Sequence, residues 1–88
     1  MKSWEVLLMS EFAGRVDIRA ITPHKDKYPT VHKTFEALKV GEKMELINDH
    51  ELKHLFEYKF TLDFPDQYEY IYLEEGPEVW RAAVTKIK

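Results

Sequence analysis

The spacing of hydrophobic residues changes along the chain, and the changes mark its elements. Val16-Asp17-Ile18-Arg19-Ala20 alternates apolar with charged, the period of a half-buried strand, so residues 16–20 are expected as the first strand. Thr22-Pro23-His24-Lys25-Asp26 interrupts as a loop, because Pro23 has no N–H to give to a ladder. Pro29 suits the first turn of a helix, and Val31, Phe35 and Leu38 follow at helical spacing. Gly41 is expected to cap that helix, and His32, off the apolar stripe, is expected in solvent. Lys43 to Ile47 reads as the second strand, with Met44 and Leu46 inward. Leu52, Leu55, Phe56 and Phe60 form the apolar face of a second helix, with Asn48 or Asp49 as its N-cap and Pro65 as its stop. Tyr68 to Leu73 alternates again, with Tyr68, Tyr70 and Tyr72 on one face and Glu69, Ile71 and Leu73 on the other. After Glu75-Gly76-Pro77, Val79 to Ile87 is the last strand, and Trp80, Ala82 and Val84 share a face. Ahead of these elements, the apolar stretch Trp4 to Met9 reads as an extra strand or as a segment laid over the domain.

The order β-α-β-α-β-β predicts an α+β fold: a two-layer α/β sandwich with a mixed four-stranded sheet and two helices on one face. Residues 16–88 form the single domain, and residues 1–15 an N-terminal extension or extra strand. Two strand–helix–strand crossovers predict parallel neighbours, and the final hairpin an antiparallel last strand. The face away from the helices is expected to carry Asp17, Arg19, Glu45, Arg81 and, in one of two readings, the tyrosines, with cross-strand ion pairs solvating much of it. The side taken by the tyrosine row stays open. Facing outward it is a strip for protein contact; facing inward it is packing, with Ile71 and Leu73 exposed instead.

Composition narrows the function classes. A chain of 88 residues is one domain with a modest core, for which pairing with a second copy is a natural expectation. Apolar and charged fractions of 44% and 33% are those of a soluble globular protein. Cysteine is absent, which excludes disulfides, thiolate metal sites and persulfide chemistry on the chain and fits a reducing cytoplasm. The net charge is -3 with no basic block, so no nucleic-acid partner is expected. No apolar run has the length of a membrane span, so no membrane partner is expected either. Met1-Lys2-Ser3-Trp4 runs directly into Glu5, unlike a signal peptide.

Val16-Asp17-Ile18-Arg19, Pro29 at a helix start, Glu45-Leu46-Ile47-Asn48-Asp49-His50 and Tyr72-Leu73-Glu74-Glu75-Gly76-Pro77-Glu78-Val79-Trp80-Arg81 occur in that order. Together they resemble the bacterial family called domain of unknown function 2249, which is related to the TusA/SirA sulfur-carrier domains. The resemblance spans roughly residues 16 to 87 and implies the same β-α-β-α-β-β sandwich. It departs where sulfur carriers place a Cys-Pro-x-Pro motif, since this chain has Thr22-Pro23-His24 there. It departs again at Lys27-Tyr28-Pro29, where the family often has Arg-His-Pro, and at Glu51-Leu52-Lys53-His54, where it tends to have a proline. The family often sits beside hemerythrin-like iron proteins.

The candidate chemistry gathers where the second strand meets the second helix. In a parallel arrangement the carboxyl ends of the strands form one edge, the usual ligand edge of open α/β sheets. That edge is expected to assemble His24, Lys25, Asn48, Asp49, His50, Glu74 and Glu75 as a site for a partner protein or a small ligand. The plainer alternative is that Asn48 and Asp49 are caps and the glutamates solvate a turn. No cofactor is required, but a zinc or iron site on His24, His50, His54 and Glu74 is a second reading. His50-Glu51-Leu52-Lys53-His54 also fits the zinc-protease string His-Glu-x-x-His, a third reading as a hydrolase. The pair stands at a helix start opposite the Leu52/Phe56 stripe, with no second lobe to wall a substrate cleft. The best sequence reading is a small non-catalytic binding module.

Overall fold

The computed structural model describes residues 12–88, in which strand β1 (Gly14–Asp17) leads to helix α1 (Lys27–Glu36) and strand β2 (Lys43–Asn48). Helix α2 (53–63), strand β3 (Tyr68–Glu75) and strand β4 (Trp80–Lys86) follow. The result is the expected α+β arrangement, a mixed four-stranded sheet with two helices. The apolar stretch at residues 4–9 lies outside the described residues. No helix among those described is long and apolar enough to cross a membrane.

The sheet order is β1-β2-β4-β3, with β1 parallel to β2 and β4 antiparallel to both of its neighbours. This corrects the expectation that the second crossover joins neighbours: β3 runs parallel to β2 but one strand away, with β4 between them. Composition explains the order. β4 buries Ala82, Ala83 and Val84 and suits the middle of a sheet. β3 bears Glu69, Glu74 and Glu75, is exposed along most of its length, and carries a bulge between Tyr72 and Glu74, as outer strands do.

Register settles which side the tyrosines take. Directly opposed residues share a face. Met44 lies opposite Val84 and Leu46 opposite Ala82, and across β4 these same residues meet Tyr70 and Tyr72. Val84, Ala82, Met44 and Leu46 are all fully enclosed in the core. The tyrosine row therefore faces the helices. The Tyr68 hydroxyl donates to the Phe56 carbonyl at 2.7 Å, and the Tyr70 ring stacks on Phe56 at 3.8 Å between centroids. Ile71 is the residue left outside, 65% exposed. The core between the layers is aromatic: Phe35, Phe56 and Phe60 are buried, and Phe60 packs edge-on against both other rings at 5.1 and 5.8 Å.

Several local expectations are corrected. β1 stops at Asp17 rather than Ala20, because the Asp17 carboxylate accepts the Arg19 backbone N–H at 3.1 Å and turns Ile18–Ala20 into a 3-10 turn. Ile18 is still buried, but Ala20 is exposed. α1 ends at Glu36, too early for Gly41 to cap it; Gly41, at φ +95°, instead donates its N–H to the Lys86 carbonyl at 2.7 Å. His32 is half-buried, not solvated, against the Phe64 ring at 4.8 Å. Asn48 is the last residue of β2 rather than a cap, and the helix begins only after residues 49–52 have carried the chain up to the second layer. The middle of α2, Leu55–Phe60, is wound as a π-helix. The Phe56 carbonyl there accepts from the Thr61 hydroxyl at 2.9 Å as well as from Tyr68.

Candidate functional site

The carboxyl ends of β1 and β2 and the N-terminal ends of both helices meet at one edge, and a cleft of about 470 Å³ opens between them. Ile18, from the turn after β1, and Asn48, from the end of β2, line its sheet side. Lys27, Tyr28 and Val31 line it from α1, and Leu52, His54, Leu55, Tyr58 and Lys59 from α2 and its approach. His24, Lys25, His50 and Glu51 complete the rim. The floor is apolar because Val31, in the first turns of α1, and Leu52, just before α2, both turn inward and are buried.

Asn48 occupies a particular place in this geometry. Alternation along β2 sends Met44, Leu46 and Asn48 to the helix side, so Asn48 takes the last inward position, where the core gives way to the cleft. Its residue is 6% exposed, and its carboxamide oxygen Oδ1 has no hydrogen-bond partner among the described residues. A buried amide oxygen without a partner costs roughly 1–3 kcal/mol.

The residues expected at this edge divide into two groups. His24, Lys25, Asn48 and His50 line the cleft, and His54 joins them. Glu74 and Glu75 do not. Glu74 sits opposite Arg81, whose Nε donates to it at 3.2 Å, on the sheet face away from the helices. Glu75 lies at the end of β3 opposite Trp80. Asp49 is exposed beside the cleft and accepts from His50 Nδ1 at 2.7 Å. That bond holds its carboxyl below the usual carboxylate range. The interposed β4 is the reason for the split, since it carries β3 and its glutamates to the far edge of the sheet.

The metal set His24, His50 and Glu74 is therefore not brought together, and among the described residues no three His, Asp or Glu side chains converge as metal ligands. The protease string fails on local geometry. His50 precedes the helix and His54 lies in its first turn, so the two are not one helical turn apart on a common face. His54 stacks on Tyr58 at 5.6 Å instead.

Sequence reading missed three contributors to this region. Tyr28 was only a departure from a family pattern, yet its hydroxyl donates to Asp63 at 2.6 Å and ties the start of α1 to the end of α2. Burial and then that bond push the hydroxyl above its ordinary pKa. Lys59 holds its ammonium 5.2 Å over the Tyr28 ring. Leu55 counted as core but turns partly into the cleft. Spacing along one helix cannot reveal a clasp between two.

Compared with known families, residues 15–86 match the model of the family described as uncharacterized conserved protein (DUF2249). No curated protein and no solved structure matches the chain.

Proposed function

We propose that this chain, which belongs to the DUF2249 family, is a small-ligand binding module whose site is the cleft between the two helix starts. The observation that carries the reading is the unpartnered Asn48 carboxamide oxygen at the cleft wall. A cleft with an apolar floor and a few directed polar groups has the usual makeup of a ligand site, and about 470 Å³ lies in the usual range. The site has groups to hold and orient a molecule: the Asn48 carboxamide, the rim histidines and the lysines around an apolar floor. The test is a fragment screen by two-dimensional amide NMR on the full chain. Hits should perturb Asn48, Leu52 and Leu55 together. Hits that scatter over the surface, or collect elsewhere, would refute the reading.

The outer strand favours a second, compatible reading: pairing of two copies through β3. Ile71 and Leu73 are 65% and 40% exposed, and among the described residues β3 is paired on one side only. Light scattering should then show a dimer that Ile71→Lys dissociates. A monomer at every concentration would remove this reading and leave the cleft untouched.

A further inference from the structure

We propose that the cleft takes an organic anion with an apolar body and a hydrogen-bond donor, an inference that rests on the ligand-binding reading above.

Charge is the first argument. The chain is formally -3, yet the cleft lining holds Lys25, Lys27 and Lys59 against Glu51 alone. The histidines at its rim are neutral or positive and cannot reverse that sign. Among the described residues, Lys25 and Lys27 are in no close ion pair, although Lys27 acts at longer range on the exposed Asp49 carboxylate beside the cleft, while Lys59 is steadied over the Tyr28 ring. Three ammonium groups in an acidic protein thus stand on one small concavity.

Backbone electrostatics add to them. Both helices begin at the cleft, and each start presents the positive end of its peptide dipoles. A helix start alone selects nothing, but here residues of both starts line the same cleft as Asn48, whose buried oxygen has no partner among the described residues. That oxygen accepts and cannot donate, so a ligand that satisfies it brings an N–H or O–H. The apolar floor of Val31 and Leu52 requires that the rest of the ligand be hydrophobic, which sets an inorganic anion aside.

The discriminating probes are indole-3-acetate and indole-3-acetamide. They share the ring and its N–H donor and differ in charge. Titrated into the full chain and followed by amide NMR, the acetate should shift Asn48, Leu52 and Leu55. It should bind about tenfold more tightly than the acetamide, the size of one charge-assisted contact. Raised salt and the double variant Lys25→Gln/Lys27→Gln, which spares the Lys59–Tyr28 contact, should shrink the difference while resonances away from the cleft stay in place. Equal affinities at the cleft would overturn the anion preference and leave the ligand-binding reading standing. Failure of both probes to perturb the cleft, with a fragment screen that also avoids it, would overturn both.

Discussion

Two residues show how much a single position can decide in this small domain. Gly76 turns the chain between β3 and β4 at φ +53°, and a Cβ there would lie 2.6 Å from the Trp80 ring. Backbone conformation and close approach both require glycine, so Gly76→Ala should cost about 1–3 kcal/mol of stability in urea unfolding. A neutral result would mean that the turn and the Trp80 ring shift without penalty. Asn48 is the opposite case, because its side chain contributes no bond from its buried oxygen. Its identity is visible in sequence, but its role is not. A strand-end asparagine before a helix reads as a cap, and only the two-layer geometry shows that the helix starts too late for it.

At the scale of elements, periodicity identified the two helices and four strands of the described residues, because each buries one face against a single core. What it misplaced were ends and order. The β1 end was hidden in the Asp17–Arg19 interaction, in which the guanidinium and the backbone N–H both bind one carboxylate. The strand order was hidden because a β-α-β crossover does not state how many strands it skips. The Tyr28–Asp63 clasp between α1 and α2 gives a pH-dependent prediction. The Tyr28 hydroxyl is held above its ordinary value of 10.0, so its contribution is full below that pH. It is lost as pH rises through the folded-state value, because the unfolded chain ionises first. The stability gap between wild type and Tyr28→Phe should therefore be constant near about pH 8 and shrink above about pH 10. A gap that does not change with pH would place the hydroxyl outside the clasp.

Over the whole molecule the sheet separates two chemistries. On the face away from the helices, Glu45 accepts from Arg15 at 3.3 Å and from Arg81 at 2.8 Å, and Arg81 continues to Glu74. These pairs span β1, β2, β4 and β3, as expected from Glu45 and Arg81 in sequence. They engage Glu74 on this face, away from the cleft. Because the Glu45 side chain is only 10% exposed while both arginines are wetter, Glu45→Gln should cost about 1–2 kcal/mol, reduced by salt. No loss would mean that the pairs are replaced by water at no cost. The opposite side, at the start of both helices, holds the cleft. Half of it was legible as a strand-end edge bearing His24, Lys25, Asn48 and His50. Its walls and its charge were not, because Tyr28, Leu55 and Lys59 enter it only through tertiary packing.

The central claim is that Asn48 serves a ligand rather than the fold, and urea unfolding of Asn48→Leu, which keeps the side-chain volume, tests it without the ligand in hand. Removing an enclosed, unpaired oxygen should leave the protein as stable as wild type or more so. A loss of more than about 1 kcal/mol would mean that the carboxamide makes a structural bond, and the case for the cleft as a binding site would lose its foundation.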